Sequence, residues 1–222
     1  MRPRNFTRPA AAGALCFAIN WAAADAASAQ AETTTPALQG PQIGVRKNKL
    51  DVRAGNRGVV AGKILPAAAG TVVSLQVRRA GRWKRLDRDR TDAAGRYRLR
   101  KRLARTGSTR VRIHVGVAPG MRAGRRALGR LNVYRTANAS WYGPGLYGNR
   151  TGCGGTLHAG RLGVAHKSLP CGTMVTFKRG RRSVRVPVID RGPYVGGREY
   201  DLTAATAQRI GFQGHGAVLT TR

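Results

Sequence analysis

Residues 136–222 contain only three carboxylates, Asp190, Glu199 and Asp201, and that scarcity limits the acid–base chemistry open to them. Asp190 closes the apolar, β-branched run Val184, Val186, Val188, Ile189 and is followed by the turn Arg191-Gly192-Pro193. That context places it at a strand end, where a carboxylate can face a cleft. Hydrolysis of a glycosidic bond normally uses two carboxylates on opposite sides of the scissile bond. Intramolecular transglycosylation can proceed with one, because the sugar's own 6-hydroxyl attacks the anomeric carbon and a single residue donates and then accepts the proton. Asp190, kept protonated by partial burial, is the expected general acid, with an Asx-turn or an arginine-paired carboxylate as the structural alternative. An Arg191 side chain aimed the same way would oppose that protonation. Tyr142, Tyr194 and Arg191 are the expected substrate-binding residues, the tyrosines stacking on pyranose faces.

These residues need a scaffold of short strands. In residues 136–222 strands are expected at 140–142, 163–166, 174–177, 183–189 and 217–221, with one helix over 204–210, capped by Thr203 and stopped by Gly211. A small, mostly β barrel suits this pattern. Asp201, just before the helix, is read as a capping or bracing residue, and Glu199 has no assigned role. Upstream, residues 45–135 alternate apolar and polar side chains, as in Val73, Leu75 and Val77 or Val111, Ile113 and Val115. Six or seven such strands predict an antiparallel β-sandwich. Loosely, residues 71–102 resemble the immunoglobulin-like modules of bacterial exported proteins. The fold class is therefore mainly β, in two domains, 45–135 and 136–222, with the break near 136–139 where arginine thins out.

The chain begins with Arg2, Arg4 and Arg8, an apolar stretch from Ala10 to Ala24 and the small-x-small site Ala29-Gln30-Ala31, which read as an export signal over residues 1–31. Residues 32–44 have linker composition. The mature protein is expected outside the cytoplasm, in the cell wall, periplasm or medium, without a membrane span. Removal of Cys16 with the signal leaves Cys153 and Cys171 as an even pair in an oxidising compartment, the expected disulfide. Zinc is the competing use, since His158 and His166 lie between them, but Cys-x4-His-x7-His-x4-Cys is not a paired-knuckle spacing. No metal and no cofactor are expected.

The formal charge is +32. Residues 42–135 carry 26 Lys and Arg against four Asp and Glu, and residues 136–222 carry 12 against three. A charge of this size draws polyanions in a salt-dependent way, although coding bias toward arginine gives the same composition without a partner. No zinc-finger, RNA-recognition or helix-turn-helix pattern accompanies it, and export argues against nucleic acid. Anionic wall polymer or a membrane surface is the expected partner of the basic domain.

Ala-Ser-Trp-Tyr-Gly at 139–143, Ala-His-Lys-Ser-Leu-Pro-Cys-Gly-Thr at 165–173, Asp-Arg-Gly-Pro-Tyr at 190–194 and Asp-Leu-Thr-Ala-Ala-Thr-Ala at 201–207 resemble, in order, the double-psi β-barrel domain of the rare lipoprotein A (RlpA) family. The resemblance implies a six-stranded double-psi barrel. It further implies endolytic cleavage of the MurNAc–GlcNAc bond in peptidoglycan by lytic transglycosylation, leaving 1,6-anhydro-MurNAc ends. It places the family's catalytic aspartate on Asp190 and its functional histidine on His166, which is expected to hydrogen-bond to Asp190 or to substrate. Many members carry an Asn-Gly-Glu segment where this chain has Cys153-Gly154-Gly155-Thr156, so an assisting glutamate is missing. Related expansin-like barrels bind wall polysaccharide without cleaving it, which keeps a non-catalytic wall-binding protein open as the alternative.

Overall fold

The computed structural model describes residues 39–222. The expected export signal and residues 32–38 of the expected linker lie outside the described residues. The first half is a β-sandwich built from β1 (Gln42–Lys49), β2 (Asp51–Arg53), β3 (Arg57–Leu65), β4 (Val72–Arg79), β5 (Arg82–Arg90), β6 (Arg96–Arg102), β7 (Gly107–Val115) and the start of β8 (Gly124–Tyr142). One sheet has the order β1-β3-β6, the other β8-β7-β4-β5, and β2 runs parallel along β8. Period-two alternation sends Val60 and Ile64, Val73, Leu75 and Val77, and Val111, Ile113 and Val115 into the shared core, leaving their neighbours on wet outer faces.

Residues 42–44, expected as linker, are the first three of β1. Ile43 reaches the core and the Gly44 carbonyl accepts a 2.7 Å hydrogen bond from the Tyr97 hydroxyl. Burial pushes that phenol up to about 12. A Cβ at Gly62 would lie 1.9 Å from the Gly44 carbonyl oxygen, so the tyrosine can tie β6 across β3 to β1 only over a glycine. This strand escapes sequence reading because Arg46–Lys49 breaks the alternation, as an edge strand allows.

Strand β8 is also different from expectation. The expected strand at 140–142 is the end of one 19-residue strand that runs on from the sandwich without a break near 136–139. Its first part pairs with β7, and from Arg135 onward it pairs with β13 (Gly216–Thr220) and β12 (Tyr200–Thr203). Arginine thins out because Tyr134, Ala137 and Ala139 turn into cores, while the backbone continues.

The second half adds β9 (Val164–His166), β10 (Met174–Arg179), β11 (Arg182–Asp190) and the helix α1 (Ala204–Ile210). Strands β8, β12, β9, β11, β10 and β13 pair in that order and return to β8, closing a six-stranded double-psi barrel with no free edge. The pairs β8–β12 and β9–β11 are parallel and the others antiparallel. Val164, Val175, Phe177, Val186, Tyr200 and Leu202 fill it, with Phe177 edge-on to Tyr200 at 5.0 Å. The helix starts at Thr203, whose hydroxyl accepts from the Thr206 amide, and stops at left-handed Gly211. Strand β12 was not expected: at four residues, against the helix cap, Tyr200-Asp201-Leu202-Thr203 is too short for periodicity to register. It nevertheless decides the composition of the cleft.

Candidate active site

Strand β9 lies between β11 and β12, and Ala165 is the register partner of both Asp190 and Asp201. The two carboxylates therefore stand on either side of a small residue, two strand spacings or roughly 9.5 Å of backbone apart. Both line an open cleft of about 290 Å³ whose walls include Tyr142, Arg150, Arg191, Tyr194 and Arg198. Its rim carries exposed apolar surface at Leu146, Val195 and Tyr194, the last 82% exposed.

Asp190 is fixed from the backbone. Its Oδ1 accepts from the Gly152 amide at 2.7 Å and from its own neighbour, the Arg191 amide, at 2.8 Å. The first bond requires the 151–154 loop to approach closely. A Cβ at Gly152 would lie 2.9 Å from Arg191 Cγ and 3.1 Å from Asp190 Oδ1, tighter than a side chain tolerates. Gly152→Ala is therefore expected to push the loop off the carboxylate and cut turnover about tenfold to a hundredfold, since a displacement on the order of 1 Å at a reacting group costs about that much. Thermal unfolding of the variant should stay near wild type, because the loop is exposed; an unchanged rate would mean that this backbone clamp does not position Asp190.

Asp201 differs in kind. Burial, opposed by a 2.8 Å hydrogen bond from Ser140 Oγ and by Arg198, and aided by the charge of Asp190, holds its carboxyl above the ordinary carboxylate value. The sequence reads it as a capping or bracing residue, and the Ser140 bond does brace β12 against β8; the one signal for a further role is that it is among only three acids of residues 136–222. Tyr142, paired with Thr203 where β8 runs beside β12, completes the group. Burial first, then the charge of Asp190 and the approach of its carboxylate, raise the Tyr142 phenol well above its ordinary value. Its buried hydroxyl makes no hydrogen bond of regular geometry. An orphaned hydroxyl in this position costs on the order of 1–3 kcal/mol unless water or a substrate oxygen satisfies it.

The expected hydrogen bond between His166 and Asp190 is absent. Successive residues of a strand face opposite ways, so with Ala165 turned to the cleft, His166 turns away and packs against Tyr200, ring centroids 5.0 Å apart. Its Nδ1 accepts from the Ser168 and Leu169 amides at 3.1 and 3.0 Å, which puts the proton of the neutral ring on Nε2. Burial is the main influence holding this imidazole below its ordinary value. Glu199, near Nε2 at 3.9 Å, is committed to Arg135. Arg191 lines the cleft with its stem, but its guanidinium donates to the His166 and Leu169 carbonyls at 3.1 and 2.8 Å and to Cys171 Sγ at 3.0 Å. Three acceptors of the loop thus converge on its guanidinium, while the residue keeps its place in the cleft wall. Tyr194 does stand at the cleft, while Tyr147 lies at a separate groove beside α1.

Cys153 and Cys171 form a disulfide across the 18-residue interval, joining the loop that clamps Asp190 to the loop that Arg191 holds. The thiols are thereby removed as zinc ligands, and among the described residues no group of three or more His, Cys, Asp or Glu is placed to hold a metal ion. Cys153→Ser with Cys171→Ser is expected to cost about 3 kcal/mol of stability by the loop-entropy relation, read from chemical denaturation; a loss under 1 kcal/mol would show that other contacts close this loop.

A family model described as lytic transglycolase matches residues 134–220. Over 80 residues the chain is 48% identical to "Probable endolytic peptidoglycan transglycosylase RlpA" of Synechocystis sp., covering 35% of this chain and 25% of that one. It is 46% identical over 74 residues to "Endolytic peptidoglycan transglycosylase RlpA" of Campylobacter jejuni, covering 32% and 27%. Against the protein of the same name from Aquifex aeolicus, also termed probable, identity is 36% over 100 residues, 44% of each chain. The chain thus spans between a quarter and less than half of the length of these relatives. A solved structure, Streptomyces papain inhibitor (SPI), is similar over 40% of this chain and 94% of its own, with 22% identity and a TM-score of 0.32. The C-terminal domain belongs to the RlpA-like double-psi β-barrel family.

Proposed function

We propose that the protein is an endolytic peptidoglycan transglycosylase acting outside the cytoplasm, in the cell wall or periplasm, and that Asp190 and Asp201 divide the proton transfers between them. The relatives' printed activity supports the reaction class. The observation that carries the reading is the cleft itself: two carboxylates flank Ala165 beneath the unpartnered hydroxyl of Tyr142. Asp201, whose buried surroundings favour the protonated carboxyl, gives a proton to the GlcNAc O4 as the bond from MurNAc C1 to that oxygen breaks. The MurNAc O6 bonds to C1 and its proton passes to Asp190, leaving a 1,6-anhydro end. Before the next turnover the proton returns from Asp190 to Asp201 through the Tyr142 hydroxyl or a water. One C–O bond replaces another and no atom changes oxidation state overall, so the chemistry calls on no redox cofactor. Asp201 also stands in for the glutamate that many family members carry in the 153–156 loop. Here that loop presents glycines, and its carbonyls at Gly154 and Thr156 accept from Arg161. Tyr194 and the rim residues Leu146 and Val195 offer the apolar surface on which sugar rings stack. His166 and Arg191 serve as positioning residues, holding the loop over the disulfide. The basic sandwich holds anionic wall polymer.

The test is mass spectrometry of purified peptidoglycan, intact and amidase-stripped, after incubation with the mature protein. Anhydromuramyl products support the reaction. Pelleting onto both substrates with no such products would instead select the non-catalytic wall-binding reading, which the glycine-only loop at 154–155 favours.

A further inference from the structure

The outer face of the larger sandwich sheet is a field of guanidinium groups set by strand register. Because Val73, Leu75 and Val77 of β4 point into the core, Ser74, Gln76 and Arg78 point out. Ser74 pairs with Arg88 on one side and His114 on the other, and His114 pairs with Arg125. Gln76 pairs with Arg85 and Arg112, while Arg78 pairs with Trp83, and Arg110 with Arg130. Rows about 4.8 Å apart and steps of about 7 Å along each strand, interrupted by one register shift in the β4–β5 pairing and one in the β7–β8 pairing, space the cations over the face.

Among the described residues no carboxylate forms an ion pair with these arginines of the face. Asp87 and Asp89 of β5 accept from the Arg100 and Arg98 amides of β6 at 2.6 and 2.7 Å, and Asp92 caps its own turn. Arg112 lies 4.1 Å over the Trp83 ring and donates to Gln76 Oε1 at 2.8 Å. Desolvation first, then Arg125 and Arg78, hold that guanidinium below its ordinary value. Arg130 is lowered by desolvation and then by Arg185 and Arg110, which carries the cationic face from β8 onto the barrel strand β11. Between the two domains runs a groove of about 520 Å³ lined by Lys49, Arg130, Asn132, Thr176 and Arg185, with Asp51 as its one acid. Asp51 is engaged with Lys178 and Asn132. Thr176 is 5% exposed and its hydroxyl has no partner.

We propose that this face and the groove continuing it bind a linear phosphodiester polymer of polyol or sugar units. The inference deepens the reading of the sandwich as a holder of wall polymer, and it stands apart from the chemistry of the barrel. Planar guanidinium forks match phosphate oxygens, and the groove's amide and hydroxyl groups match polyol hydroxyls. A membrane-docking face would present apolar wedges, yet the exposed large apolar side chains on these four strands are Val72, at the sheet's end, and Trp141, in the barrel part of β8. A nucleic-acid face would offer free aromatic rings for bases, and Trp83 is already covered by Arg112.

The mature protein is titrated with poly(glycerol phosphate), single-stranded DNA and phosphatidylglycerol vesicles at several salt concentrations. Two variants carry the test, Arg78→Gln/Arg88→Gln/Arg112→Gln on the sheet and Arg130→Gln/Arg185→Gln at the groove. The control, Arg57→Gln/Arg100→Gln/Arg102→Gln, removes three charges from the other sheet, as many as the sheet variant and one more than the groove variant. Expected is a loss of at least tenfold in affinity for poly(glycerol phosphate) in each face variant, with the sheet variant's salt slope reduced by roughly two to three. The control should change less than threefold, and anhydro-end release from isolated glycan should stay at wild-type level in all three. Equal losses in control and face variants would overturn the placement on this face. Tighter binding of DNA or of vesicles than of poly(glycerol phosphate) would overturn the partner class. No binding by the wild type would sink the wall-polymer reading of the sandwich as well, while leaving the transglycosylase reading to its own products.

Discussion

Asp190→Asn protein should release anhydromuramyl ends about 10²–10⁴ times more slowly than wild type, the range over which a positioned acid–base group contributes. The asparagine variant is the informative one. Its side-chain oxygen can still accept from the Gly152 and Arg191 amides, the two bonds that hold the carboxylate at 2.7 and 2.8 Å, so the 151–154 loop keeps its place. What disappears is the ability to take a proton from the muramyl 6-hydroxyl. Pelleting onto peptidoglycan and the thermal midpoint should therefore remain near wild type, while Asp190→Ala loses the same activity and also frees the loop. Quantification of anhydro ends by mass spectrometry decides the matter: more than a tenth of wild-type rate in the asparagine variant would remove Asp190 from the proton path.

How far this site is readable in the sequence follows from what each residue's neighbours are. Asp190 ends a β-branched strand before an Arg-Gly-Pro turn, a purely local arrangement, and the structure places it at the cleft. The helix from Ala204 to Ile210 and both its caps are equally local. Asp201 and Tyr142 were harder to place, because their roles depend on β12 lying parallel to β8 across 61 residues of sequence, where Ser140 meets Asp201. Composition carries no trace of such a pairing. His166 illustrates the opposite case: the family resemblance suggested a hydrogen bond to Asp190 or to substrate, but strand alternation gave the Asp190 side of β9 to Ala165. The guanidinium of Arg191 is likewise placed from a distance in sequence, since its acceptors are backbone carbonyls in a loop about twenty residues away. The charge excess of the sandwich was plain from counting, whereas its concentration on one face required the register of β4, β5, β7 and β8.

Asp201→Asn is the variant in which function and stability should separate most clearly. Burial raises the carboxyl in the folded protein, while in the unfolded chain it ionises at its ordinary, lower value. Between those two values the folded state binds the proton that the unfolded state has lost, so this residue's contribution lowers stability as pH rises and remains a fixed penalty above the folded value. Asparagine removes the penalty and can still accept from Ser140 Oγ. The variant should accordingly melt at a higher temperature than wild type at neutral pH, with the difference shrinking as pH falls toward the unfolded carboxylate range. Its rate of anhydro-end release should drop by about 10²–10⁴, since no proton reaches the leaving O4. In the wild-type enzyme, the same raised carboxyl predicts that activity declines as pH climbs through the value at which Asp201 ionises. Calorimetry and anhydro-end release measured on the same preparations across pH separate the possibilities. A stabilised but inactive Asp201→Asn protein identifies a proton donor kept in costly surroundings for its chemistry, in keeping with the usual exchange of stability for activity at such sites. A destabilised, active one would mean that Asp201 braces β12 against β8 and that Asp190 carries both proton transfers alone.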